Sequence, residues 1–111
     1  MRTSIILIPA LLSGMAYAAQ PISEADAAAA LVVAQGSDCL SCHSLTEKIV
    51  GPSYVKVAAK YANDADAVST LAQSIQYGSK GKWGRIPMPA HGSLTAEQIN
   101  LLARWVLSIE K

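Results

Sequence analysis

Three reactive side chains fall within five residues of this chain: Cys39 and Cys42, separated by Leu40 and Ser41, with His43 directly after them. Thiols at that spacing can form a redox-active disulfide or half of a zinc site. The histidine that follows at once, and the lack of any further cysteine in the chain, narrow the choice. Cys-x-x-Cys-His is the spacing at which a polypeptide bonds a haem c covalently. The two sulfurs add across the porphyrin vinyl groups as thioethers, and one short helical turn sets the adjacent imidazole under the iron. Five residues thus supply both the attachment and one axial ligand.

A second ligand is read from Met88. Met1 and Met15 lie in the N-terminal segment described below, so Met88 is the one methionine left once that segment is removed. It stands between Pro87 and Pro89. Haem iron bound by histidine on one side commonly takes a thioether on the other in electron-carrying proteins, which raises the reduction potential. A thioether on a flexible stem needs a stiff backbone to aim it. Prolines on both sides fix φ and restrict the residue before each. The plain alternative is a methionine filling a gap in the core. His91, three residues on, competes for the same role, since a bis-histidine haem of lower potential is chemically reasonable; a solvated loop histidine is its ordinary reading.

The elements that must position these groups begin after residue 18. Arg2 gives a positive start, Ser4 to Leu12 an apolar run, and Ala16-Tyr17-Ala18 a small-x-small cleavage site, the pattern of a secretory signal peptide. That run is too short to span a bilayer, so no membrane anchor is expected after cleavage. Cleavage after Ala18 leaves residues 19–111, 93 of the chain's 111. A domain of that size has a marginal core, and a large apolar cofactor at its centre acts as a staple, so the haem-free chain is expected to fold poorly. Export to an oxidising compartment makes a Cys39–Cys42 disulfide the main rival fate of the thiols.

Glycines and prolines punctuate four helical patterns, and the fold class read from them is all-α. The first helix runs from about Glu24 to Gln35 behind a Ser23 N-cap, with acids in its first turn and Gly36 as its stop. A second covers about Ser53 to Tyr61. In the third, capped by Asn63 or Asp64, Val68, Leu71, Ala72 and Ile75 share one face before Gly78. Thr95 and Gln98 form a capping box for the last, where Leu102, Trp105, Val106 and Ile109 make the buried stripe. Between Gly78 and Ser93 there is no helical period, and a connection of that length in a small domain usually carries function. With no strand signal anywhere, the strand-to-helix setting of a thioredoxin-like Cys-x-x-Cys is missing.

Charge excludes one class of partner. Without Arg2 the chain carries eight basic and eight acidic side chains, far from the basic excess that binds nucleic acid. Lys48, Lys56, Lys60, Lys80, Lys82 and Arg85 nevertheless concentrate between the Cys-His motif and the methionine loop. Around an exposed cofactor edge they would steer an acidic partner, although lysines often serve only solubility.

Four segments in order, CLSCH, VGPSYVKVAAKYA, LAQSIQYGSKGKWGRIPMPAH and LTAEQINLLARWVLSIEK, resemble the small bacterial class I cytochromes c of the c-551/c-552 type. The resemblance implies the class I cytochrome c fold, about four helices wrapped around one covalent haem c. It implies a periplasmic monomer that is not an enzyme and shuttles single electrons between redox proteins: a nitrite reductase, a terminal oxidase or a membrane cytochrome complex. By the same resemblance the carbonyl of Pro52 accepts the Nδ1 proton of the ligand His43, fixing ring orientation and basicity. Trp83 matches a tryptophan whose indole N–H contacts a haem propionate, as suits a donor that needs a partner when buried. Ala19 to Asp38 departs from the group, being longer and richer in alanine. The contrasting function is a haem enzyme or gas sensor with an open or labile sixth position. No acid–base pair of the kind catalysis requires is visible beside it.

Overall fold

The structure, a computed structural model, describes residues 4–10 and 21–110. Arg2, the end of the apolar run and the Ala16-Tyr17-Ala18 cleavage site lie outside the described residues. Residues 4–10 carry no helix or strand, and Ile5 to Ile8 are exposed. Among the described residues, no helix is long and apolar enough to cross a membrane.

Five helices follow: α1 (Glu24–Gly36), α2 (Cys39–Cys42), α3 (Tyr54–Tyr61), α4 (Ala67–Tyr77) and α5 (Ala96–Leu107). The sequence predicts four. The fifth is the Cys-x-x-Cys turn itself, which closes on its own hydrogen bonds, Ser41 N–H to the Asp38 carbonyl at 3.1 Å and His43 N–H to the Cys39 carbonyl at 2.9 Å.

Local chemistry sets most boundaries. The hydroxyl oxygens of Ser23 and Ser53 accept from the amides of Asp26 and Lys56, satisfying first-turn donors of α1 and α3. On α5 the capping box is complete, with Thr95 Oγ1 accepting from Gln98 N–H at 3.1 Å and Gln98 Oε1 from Thr95 N–H at 3.0 Å. The start of α4 differs from expectation, for its N-cap is Asp66. The Asp64 carboxylate instead accepts from the Asp66 amide at 2.8 Å, a turn that delays the helix by two residues.

The hub is α5, which packs against α1, α3 and α4. It meets α1 over small side chains: Ala30 and Ala34 of α1 and Ala103 of α5 are fully buried. An Arg104–Asp26 ion pair at 3.6 Å crosses the same seam. Both side chains are substantially exposed, so the pair adds little. Leu102, Trp105 and Val106 turn inward as the periodicity predicts, while Ile109 lies past the end of the helix. From Gly78 to Ser93 the chain is an irregular strap, crossed by one antiparallel bridge between Ser79 and Met88. Among the described residues there is no strand. Leu102 is 2% exposed at this hub. Leu102→Ala is expected to lower stability by about 2–5 kcal/mol, read from denaturant unfolding of the intact protein.

Candidate functional site

The turn of α2 delivers His43 into a set of contacts that determine its ring. Its Nδ1 lies 2.8 Å from the Pro52 carbonyl oxygen. A carbonyl can only accept, so Nδ1 carries the proton, and the lone pair of the neutral ring sits on Nε2. The Tyr54 ring stacks on the imidazole, centroids 4.9 Å apart and planes 22° apart, and Trp105 meets Tyr54 edge-on at 5.4 Å. Gly51 presses against the ring as well. A Cβ there would come within 2.7 Å of His43 Cε1 and 3.3 Å of the Cys42 carbonyl oxygen, so only glycine fits this approach. The loop returns because Gly51 N–H donates to that same carbonyl at 2.7 Å and Tyr54 N–H to the Ser44 carbonyl at 2.9 Å.

Cys39 and Cys42 are half-buried free thiols. Burial pushes the Cys39 thiol up, opposite to the lowered pKa of thiols built for disulfide exchange. Burial also raises the Tyr54 phenol, with the neighbouring Cys39 adding to the shift, so the ring stays neutral across the physiological range.

The other wall comes from the strap. Ser79 and Met88 exchange backbone hydrogen bonds at 3.1 and 2.9 Å, and His91 N–H donates to the Ile75 carbonyl at 2.8 Å. Gly78 permits the crossing. Its φ is +77°, and a Cβ there would fall 2.5 Å from the Met88 carbonyl oxygen. Met88 is thereby held from both sides, by the bridge and by its prolines. Trp83 lines the same cavity and is 37% exposed, with the Lys60 ammonium 4.5 Å from its ring centroid.

Cys39, Cys42, His43, Met88 and His91 line one cavity of about 880 Å³, closed by apolar side chains that include Leu71, Leu102 and Val106. Its size lies in the range of about 300–1,000 Å³ typical of cofactor sites. The donors suit a flat apolar group bearing a metal: two thiols for attachment, an oriented imidazole and a thioether from a separate segment. One atom in this wall lacks a partner, since His91 Nδ1 is buried and makes no hydrogen bond.

Sequence reading brings these ligand-type residues forward but misses Gly51, Tyr54 and Gly78 as parts of the site. Gly51 and Gly78 read as punctuation and Tyr54 only as part of a helix; their roles come from contacts across the fold. Gly51→Ala is expected to displace the His43 ring and destabilise the protein by about 1–3 kcal/mol. Denaturant unfolding combined with the imidazole proton shifts would register both effects.

Comparison with known proteins agrees with this geometry. The family model described as cytochrome c matches residues 17–110. Cytochrome c-551 of Stutzerimonas stutzeri is 45% identical over 105 residues, covering 95% of this chain and 97% of its own. Cytochrome c-551 of Allochromatium vinosum is 42% identical over 95 residues, 86% of this chain and 100% of the relative. The crystal structure of wild-type Nitrosomonas europaea cytochrome c552 superposes with a TM-score of 0.70 at 39% identity, over 72% of this chain and 99% of that one. The Cys-x-x-Cys-His turn, the helices around its cavity and these matches lead to one conclusion: the chain belongs to the cytochrome c family, as a small class I member with one covalently attached haem c.

Proposed function

We propose that this protein is a soluble periplasmic one-electron carrier and not an enzyme, its haem iron held between His43 and Met88. The observation that carries the reading is the shared cavity: an imidazole oriented by Pro52 and a thioether on a braced strap line the same apolar space. Cys39 and Cys42 hold the porphyrin as thioethers. When bound, the haem supplies a single-electron couple between ferric and ferrous iron.

The remaining work belongs to the chain. Pro52 and Gly51 hold the His43 ring in one orientation, and the Pro52 bond fixes the tautomer that leaves Nε2 free to bind the iron. The strap presents Met88 with little freedom, so little rearrangement accompanies a change of charge at the centre. Trp83, at the rim beneath Lys60, offers its indole N–H to a haem propionate. With His43 and Met88 both holding the iron, no coordination site would be left for a substrate, which favours the carrier over the enzyme or gas sensor.

Export completes the reading. Residues 1–18 are the signal peptide, cleaved on secretion, and residues 19–111 are the cytochrome domain. In support, residues 4–10 form no element of the fold, and the family match begins only at residue 17. The mature protein acts as a monomer with redox proteins such as a nitrite reductase, a terminal oxidase or a membrane cytochrome complex. Lys48, Lys82 and Arg85 line the cavity and are exposed, and Lys56, Lys60 and Lys80 are exposed as well. Together they steer an acidic face of the partner toward the haem edge.

Two measurements test the proposal. Redox titration of the secreted holoprotein should give one single-electron wave. Met88→Ala should abolish the absorption band at the red edge of the visible spectrum and lower the potential, and persistence of that band would remove Met88 from the iron. The second concerns steering. The rate of association with an acidic redox partner should fall about tenfold or more from low to high salt, and a rate indifferent to ionic strength would remove the role of the lysines.

A further inference from the structure

His91 carries the buried side-chain polar atom in the cavity wall that has no partner among the described residues. Its backbone is fixed, with the amide donating to the Ile75 carbonyl at 2.8 Å and its own carbonyl accepting from the Leu94 amide at 3.2 Å. Its side chain is not, for Nδ1 is buried without a hydrogen-bond partner. A buried, unpaired imidazole nitrogen carries an uncompensated desolvation cost. Such a group is retained more readily where it serves a purpose.

The contrast with His43 shows what that purpose is. His43 has the outer hydrogen bond that commits a histidine to a metal, Nδ1 to a backbone carbonyl, and His91 has none. His91 is therefore not built as a resident ligand. It shares the short span 88–91 with Met88, however. That span is tied at its start to Ser79 and at its end to Ile75, and both residues line the cavity. Displacing the thioether leaves an imidazole on the same tether with no competing bond to break.

Resting on the reading of Met88 as an iron ligand, we propose that His91 is a reserve axial ligand, which takes the sixth position of the iron when the Met88 thioether is oxidised or lost. With a peroxide as oxidant, one oxygen atom transfers to the Met88 sulfur to give the sulfoxide and the peroxide leaves as water or an alcohol. The iron–sulfur bond would be replaced by an iron–nitrogen bond to the His91 imidazole, with no change in the number of electrons on the iron. Methionine sulfoxide is reversible by reduction. The swap converts a higher-potential carrier into a lower-potential bis-histidine form and keeps the iron closed to small molecules while the damage lasts.

The test uses purified holoprotein carrying Met88→Ala, His91→Ala or both, followed by optical and electron paramagnetic resonance spectra and by titration with added imidazole. His91→Ala alone should retain the thioether band. Met88→Ala should lose that band yet stay low-spin, and the double variant should become high-spin. Added imidazole should bind Met88→Ala about tenfold more weakly than the double variant, because His91 must first leave the iron. A high-spin Met88→Ala, or a low-spin double variant, overturns the proposal while the loss of the band leaves Met88 ligation intact. Persistence of the band in Met88→Ala overturns Met88 ligation and the proposal with it. Should Met88→Ala fail to mature, wild-type and His91→Ala holoproteins treated with peroxide give the same comparison. The first should remain low-spin and the second turn high-spin; identical spectra overturn the proposal.

Discussion

The fold depends on a space its own side chains do not fill. Helices α1, α3 and α4 converge on α5, which buries Ile99, Leu102, Trp105 and Val106. Beside this hub the helices, the loop after α2 and the strap line an open cavity of about 880 Å³, largely apolar. Protein interiors are close-packed, and a hollow of this size deprives its lining of dispersion contacts on one side. A covalently held haem restores them. The porphyrin is thus a structural member of the domain as well as its redox centre, and the thioethers from α2 place it where the helices converge.

That constraint explains why the site is spread over so many parts of the chain. One motif of five residues carries both cysteines and His43, but the plane of the His43 ring is set by the loop that follows, through Gly51, Pro52 and Tyr54. Met88, the ligand proposed for the opposite face, lies on a strap hydrogen-bonded to residues at and beyond the end of α4. Under the proposed ligation, the two faces would be held from separate elements, which would limit rearrangement when the charge on the iron changes. The apolar lining also limits water near it, which helps to set the potential.

The surface divides along the same lines. Leu45, Ile49 and Val50 of the loop after the motif and Ile86 of the strap are exposed, and the cationic side chains of Lys48, Lys82 and Arg85 lie on those two segments. Apolar exposure beside basic charge gives a face on which charge can guide an encounter that contact then orients. The first helix is built differently. Its alanines admit α5 closely, while Val32 remains exposed.

Much of this was determined by the residues in their order. Cys39, Cys42 and His43 specify attachment because the chemistry needs only three neighbours at fixed spacing. Ser23, Thr95 and Gln98 announce helix starts through bonds that span three residues, and the stripe on α5 follows from a period of 3.6. Interactions that close across the fold were decided only in three dimensions. Gly51 reads as a turn residue until the His43 ring is seen 2.7 Å from where its Cβ would lie, and Gly78 until the Met88 carbonyl crosses it. Asp64 lost the cap of α4 to Asp66 by bonding the Asp66 amide, a choice between near-equal local turns. Trp83 sits half in solvent under Lys60, a residue 23 positions earlier, and His91 Nδ1 is left unpaired by the way the strap closes. Local hydrogen bonding and periodicity act over a few residues and are legible in the order of the chain; the packing of one segment against a distant one depends on the path between them, and only the folded structure supplies it.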